Sequence, residues 1–149
     1  MSVTQIEKVV YTAKAHTTGG RDGGSSRTSD GRLDVKLSIP GSSGTGTNPE
    51  QLFAVGWSAC FLSAVKIVAA HMKVKLPPET AIDMEIDLGM TKGGYFIQGR
   101  RKIILPGIEP AVAQQIAAGA EAECPYSKVT QGNINVVTTI VTEPVAQVV

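Results

Sequence analysis

Thiols and imidazoles, the side chains best suited to nucleophilic or soft-metal chemistry at neutral pH, are scarce in this sequence: Cys60, Cys124, His16 and His71. The two cysteines stand 64 residues apart. No Cys-x-x-Cys pair is present, and the separation matches no zinc-finger spacing. Cys60 and His71 fall on one predicted helix, on nearly the same face but about 16 Å apart along its axis, so they cannot share a metal ion. Neither a metal nor a cofactor is expected. What remains is thiol chemistry, and its nucleophile is the thiolate. Read alone, each cysteine is also compatible with a structural role. Cys60 lies in the apolar run Ala54-Val55-Gly56-Trp57-Ser58-Ala59-Cys60-Phe61-Leu62, where a free cysteine can serve as a small hydrophobe. Cys124 precedes Pro125 at a helix-breaking step.

The composition sets the frame for that chemistry. The chain has 149 residues, 42% of them hydrophobic and 18% charged, so it is expected to fold as one domain over residues 1–149 with a core of its own. Fourteen basic against 13 acidic residues give a net charge of +1. That balance lacks the excess cation density that phosphate-backbone binding needs, so nucleic acid is not expected as a partner. The opening MSVTQIEKVVYT lacks the basic and apolar regions of a secretory signal, and a cytoplasmic location is expected. Thiols in that compartment stay reduced, and are free, catalytic or metal-binding more often than paired.

Hydropathy patterning gives an α+β chain. Strands are predicted at 8–17, at 32–39, where Leu33, Val35, Leu37 and Ile39 alternate with polar residues, and at 81–90, 95–105 and 133–142. The glycine-rich stretch 19–31 reads as loop. The sheet should be largely antiparallel with one solvated face. One helix is predicted from Pro49 to about Met72, with Asn48 as N-cap, Pro49 at the first helical position and Gln51 completing a capping box. A second should run from about Glu109 to Glu123, opened by Pro110.

The first helix is the unusual element. Between Leu52 and Ala70 every residue but Gly56, Ser58, Ser63 and Lys66 is apolar, a length and composition that would also suit a membrane span. The interior serines, Lys66 and the amphipathic strands elsewhere favour a buried helix and no membrane. A helix apolar nearly all round must be covered on several sides. One small sheet covers one side, so a second copy of the chain is expected to cover the rest.

Several blocks now stand in order: Gly19-Gly20-Arg21-Asp22-Gly23, Gly46-Thr47-Asn48-Pro49-Glu50-Gln51-Leu52-Phe53-Ala54, Ala59-Cys60-Phe61, Cys124-Pro125-Tyr126-Ser127 and Gly132-Asn133. In type and spacing the chain resembles the organic hydroperoxide resistance proteins, the Ohr branch of the Ohr/OsmC superfamily, from residue 8 to about 142. The resemblance implies an OsmC-like fold in which largely antiparallel sheets wrap around long central helices in an intertwined homodimer. It implies a thiol peroxidase that reduces organic hydroperoxides, fatty-acid hydroperoxides included, to alcohols. Cys60 would be the peroxidatic thiol, Cys124 the resolving thiol that forms a disulfide with it, and Arg21 and Glu50 the activating pair. Dihydrolipoyl groups of partner proteins, or another dithiol, would be the reductant.

Those roles can be weighed physically. Lowering a thiol pKa by three units takes about 4 kcal/mol. Apolar neighbours act in the wrong direction on Cys60, so a cation must be close. One charge at about 4 Å supplies on the order of 4 kcal/mol at an effective dielectric near 20. Arg21 suits the task because a guanidinium stays protonated, and Glu50 can hold its fork. Without the motif, Arg21 reads as a solvated loop charge and Glu50 as a first-turn carboxylate favoured by the helix dipole. Glu50 and Cys60 are about 15 Å apart along one helix and about 80° out of phase. An antiparallel partner helix would bring Glu50 of one copy near Cys60 of the other, which leaves open whether Arg21 and Glu50 act within a chain or across the dimer. Phe53, Trp57 and Phe61 surround Cys60 in sequence and are expected either to line a pocket for apolar peroxides or to fill the core. Two alternatives stay open. If Pro125 opens a short helix, Cys124 is its N-cap and could be the attacking thiol. A non-catalytic module that binds apolar small molecules, with structural cysteines, would fit the same fold.

Overall fold

The structure is a computed structural model that describes residues 2–145. The chain divides into two compact units, residues 1–49 and 50–149.

The first unit is a three-stranded antiparallel sheet, β1 (Ala15–Thr18), β2 (Ser25–Thr28) and β3 (Asp34–Lys36), in the order β1-β2-β3. β2 lies inside the stretch predicted as loop. It carries no apolar alternation, so nothing in its hydropathy marks it. It is a strand because its neighbours pair with it, Thr17 against Ser26 and Ser26 against Val35, with the Thr17 and Ser26 hydroxyls 2.7 Å apart. β1 is shorter than predicted, and residues 8–14 stand outside any strand. Their last ladder-like contact is the bond from Ser29 N–H to the Lys14 carbonyl at 3.0 Å. The segment before it leaves Val3, Ile6, Val9, Val10 and Tyr11 exposed. Strand 32–39 contracts to β3, continued by a parallel bridge between Leu37 and Thr47. The β1–β2 turn is glycine-rich for a steric reason. A Cβ on Gly24 would lie 2.3 Å from the carbonyl oxygens of Thr18 and Gly20, and Gly19, Gly20 and Gly23 all have positive φ. This tight turn presents Arg21.

The second unit carries α1 (Pro49–His71), β4 (Ala81–Thr91), β5 (Gly94–Ile104), α2 (Pro110–Glu123), α3 (Pro125–Thr130) and β6 (Val136–Val141). β4 and β5 form an antiparallel hairpin with Ala81 opposite Ile104 and Thr91 opposite Gly94. β6 pairs with β5 in parallel, from Gly99–Val136 to Ile104–Val141. The strand pairing is largely antiparallel, as expected, and this pair is the parallel exception among the described residues. The 31 residues of chain between β5 and β6 hold two helices, and such a crossover returns the strand in the same direction. α1 starts and ends close to expectation, and α2 is opened by Glu109, whose side chain accepts a bond from Ala111 N–H.

The core joins one face of α1 (Trp57, Phe61, Ala64, Val65, Ala69) to Ile103 and Leu105, to Ala113, Ile116, Ala117 and Ala120 of α2, and to Cys124. The other face of α1 exposes Val55 and Ile67. By length and composition α1 is apolar enough to cross a membrane. Within the described chain only one side of it is covered, which is the deficit that the sequence predicts. α1 and α2 approach closely where α2 has a glycine: a Cβ on Gly119 would lie 2.7 Å from Cγ1 of Val68. Gly119→Val should therefore overpack this contact and lower unfolding stability by about 2 kcal/mol. Urea denaturation reads this as a lower midpoint, and an unchanged midpoint would contradict the close approach.

Candidate active site

Proline sets the geometry of the second thiol. The residue before a proline is driven out of the helical region. Cys124 is accordingly extended, with φ −67° and ψ 119°, so α2 stops one residue earlier and α3 starts one residue later. The Cys124 N–H still closes α2 on the Ala120 carbonyl at 2.9 Å, while its carbonyl accepts from Lys128 N–H in α3 at 3.1 Å. Cys124 is the pivot of a helix–helix corner, wholly buried. Cys60 stands mid-way along α1 and is half-buried. The two Sγ atoms are 3.5 Å apart, and both thiols are free.

The surroundings separate the two thiols. Burial, and next the adjacent Cys124 thiol, push the Cys60 thiol up from its ordinary value. The backbone N–H of Tyr126, in the first turn of α3, acts in the opposite direction. The Cys124 side chain makes no capping bond to α3. Cys124 thus holds the N-cap position of α3 without a side-chain capping bond, while the first-turn N–H of Tyr126 acts on Cys60.

Phe53, Trp57 and Phe61 all lie on α1 around Cys60. Trp57 and Phe61 are completely buried core residues, whereas Phe53 is half-buried. The Phe53 ring meets Trp57 edge-on at 5.7 Å and Tyr126 at 6.2 Å. Tyr126 can lie against α1 because position 56 is glycine: a Cβ there would be 2.7 Å from the tyrosine hydroxyl. Glu50 opens α1, ten residues before Cys60, and the unbroken helix holds the two about 15 Å apart along its axis. Arg21 belongs to the other unit, in the β1–β2 turn, and is half-buried. The structure thus brings together Cys60, Cys124 and the three aromatic residues. Glu50 is not beside Cys60 of its own chain.

A polar cluster behind the thiols was not anticipated. Arg101 of β5 is 6% exposed. Its Nε donates to Thr138 Oγ1 of β6 at 3.0 Å, its Nη1 to Ser127 Oγ of α3 at 3.2 Å, and its Nη2 to the Glu121 carboxylate of α2. The guanidinium also lies over the Phe61 ring, 4.2 Å from its centroid, and over Trp57 at 5.6 Å. Trp57 Nε1 donates to the same Ser127 Oγ at 3.3 Å. Period-2 reading of β5 could have found Arg101: Gly99, Arg101 and Ile103 share the buried face while Gln98, Arg100 and Lys102 do not. An arginine in that phase must be paired or partly hydrated. Among the described residues no cluster of three metal-ligating side chains occurs.

Residues 40–139 match the family model described as OsmC-like protein. An organic hydroperoxide resistance protein of Xanthomonas axonopodis pv. citri is 49% identical over 138 residues, covering 90% of this chain and 96% of the relative. The crystal structure of the organic hydroperoxide resistance protein OhrB of Bacillus subtilis superposes with a TM-score of 0.83 at 34% identity, covering 89% of this chain and 99% of that one. An organic hydroperoxide resistance protein from Elizabethkingia anophelis gives 0.83 at 35% identity, covering 91% and 99%.

Exposure alone predicts the order of thiol labelling. Iodoacetamide added to the reduced native protein should alkylate Cys60 first and Cys124 only after unfolding, as read by peptide mass mapping. Earlier labelling of Cys124 would contradict the burial described.

Proposed function

The chain belongs to the OsmC-like family, and on that premise we propose that it is a thiol peroxidase that reduces organic hydroperoxides, including those of fatty acids, to alcohols. The observation that carries this reading is the pair of free thiols, 64 residues apart in sequence and 3.5 Å apart at sulfur, in a chain whose relatives bear the name of organic hydroperoxide resistance.

Cys60 is the peroxidatic residue because its sulfur is the more accessible of the two and the nearby Tyr126 N–H acts in favour of its thiolate. Its thiolate attacks one peroxide oxygen, the O–O bond breaks, and the alkoxide leaves as the alcohol once protonated, so that Cys60 becomes a sulfenic acid. Cys124 is the resolving residue. Its sulfur attacks the sulfenic sulfur, water departs, and an intramolecular disulfide remains. A dithiol, such as a dihydrolipoyl group on a partner protein, reopens the bond by exchange in the cytoplasm. Burial opposes the thiolate, so a cation has to be supplied. Arg21, steadied by Glu50, fills that role and also stabilises the developing alkoxide. Phe53 is the partly exposed member of an apolar wall backed by Trp57 and Phe61, which favours organic over hydrogen peroxide.

A homodimer completes this reading. The uncovered face of α1, with Val55 and Ile67, and the exposed apolar N-terminal segment call for a second copy. An antiparallel partner would also bring Glu50 toward Cys60 across the interface. The family match crosses from one compact unit into the other, which supports treating residues 1–149 as one OsmC-like domain.

The two cysteines should separate cleanly by substitution. Cys124→Ser should consume one equivalent of cumene hydroperoxide and stop at a sulfenic acid trapped by dimedone, while Cys60→Ser should consume none. Equal consumption by Cys60→Ser would overturn the assignment. Arg21→Met should slow the first step at pH 7 by about 100-fold, the size left after desolvation opposes a close charge. The loss should be recovered in part at higher pH, where the thiolate forms without help. A pH-independent loss would place Arg21 outside thiolate activation.

A further inference from the structure

The buried guanidinium of Arg101 takes no part in the cycle above, and a charge in this position is costly. Replacing a buried ionic cluster by apolar side chains is often neutral or stabilising. Its neighbours are distributed in a pattern that a purely structural pair does not need. Glu121 and Ser127, which its two Nη atoms reach, lie three residues before and three residues after Cys124. Phe61, under the guanidinium, is the residue after Cys60, and Trp57 lies three residues before Cys60. The Nε bond to Thr138 fixes the whole group to β6. Ser127 Oγ accepts from both Arg101 and Trp57, so one hydroxyl links the helix of Cys60, the corner of Cys124 and the sheet. Ser127 is completely buried, and no buried side-chain polar atom among the described residues lacks a partner.

We propose that Arg101 and Ser127 act as a positioning clamp that holds Cys124 against Cys60, and so decides whether the Cys60 sulfenic acid closes to a disulfide or is oxidised further. The inference rests on the peroxidase reading. Two reactions compete for the same sulfur. In the first, Cys60–SOH and Cys124–SH give the disulfide and water: the S–O bond breaks, the S–S bond forms, and the thiol proton leaves with the hydroxide. In the second, Cys60–SOH and another molecule of organic hydroperoxide give Cys60 sulfinic acid and the alcohol, and sulfur loses two more electrons. The first reaction is intramolecular, and its advantage depends on placement. From 3.5 Å the sulfurs must close by about 1.5 Å to bond. Misplacement of about 1 Å is enough to cost such a step on the order of 100-fold. Arg101 and Ser127 are positioning residues here and touch no reacting atom.

The test follows both reactions in one experiment. Reduced protein is mixed with excess cumene hydroperoxide, and sulfenic, disulfide and sulfinic forms are counted by intact mass over time. Ser127→Ala removes the shared acceptor and leaves the Cβ and the backbone of the corner in place. It should slow disulfide closure relative to the first oxidation by about tenfold, the rate equivalent of about 1.4 kcal/mol of lost positioning, and raise the sulfinic yield in proportion. Glu121→Gln, at a carboxylate one-third exposed, is the variant least exposed to folding failure, and should shift the same ratio in the same direction by about threefold. A parent-like ratio of closure to over-oxidation in the folded variants would overturn the clamp. Failure of the parent protein to lose the Cys60 thiol would instead overturn the peroxidase reading, and the clamp with it.

Discussion

The chemistry proposed for this molecule depends on holding two sulfurs, from positions 60 and 124, 3.5 Å from each other. α1 gives the first sulfur a rigid carrier. The second is placed by a break: Pro125 forbids helix at Cys124, the chain turns a corner, and the corner is buried against α1. The parallel return of β6 depends on the same crossover, because α2 and α3 are the connection between β5 and β6. One proline thus fixes the position of the Cys124 thiol and divides the crossover that sets the sheet topology.

Electrostatics is local throughout. A net charge of +1 gives no overall field to speak of, and the charges that matter are individual. Burial and a neighbouring thiol act against ionisation of Cys60, and one backbone N–H at the start of a six-residue helix acts for it. The balance lies on the protonated side, which is why the proposed mechanism needs a permanent cation from Arg21. The buried cation Arg101 is neutralised by Glu121 and spread over Ser127 and Thr138, leaving it suited to holding elements together.

Much of this was legible in the sequence, for identifiable reasons. The N-terminal prolines marked both α1 and α2, and alternation of Ile82, Met84, Ile86 and Leu88 marked β4. β2 escaped because a strand of Ser-Ser-Arg-Thr has no hydrophobic face and exists through its pairing partners alone. The parallel pairing of β6 escaped because strand direction is a property of the connection and leaves no trace in the strand's own pattern. The chemistry-bearing cysteines were visible as residue types, but their proximity was not, since 64 residues of intervening chain carry no distance. Ser127 was in view only as part of a motif. Its importance lies in accepting from Trp57 and Arg101, partners 70 and 26 residues away.

The central claim is that one organic hydroperoxide molecule is spent on these two thiols together. Reduced protein treated with one equivalent of cumene hydroperoxide, quenched by alkylation and digested without reductant, should yield one equivalent of cumyl alcohol, no free thiol, and a single disulfide-linked peptide pair containing Cys60 and Cys124. Recovery of both cysteines in alkylated form, with the hydroperoxide intact, would contradict the account.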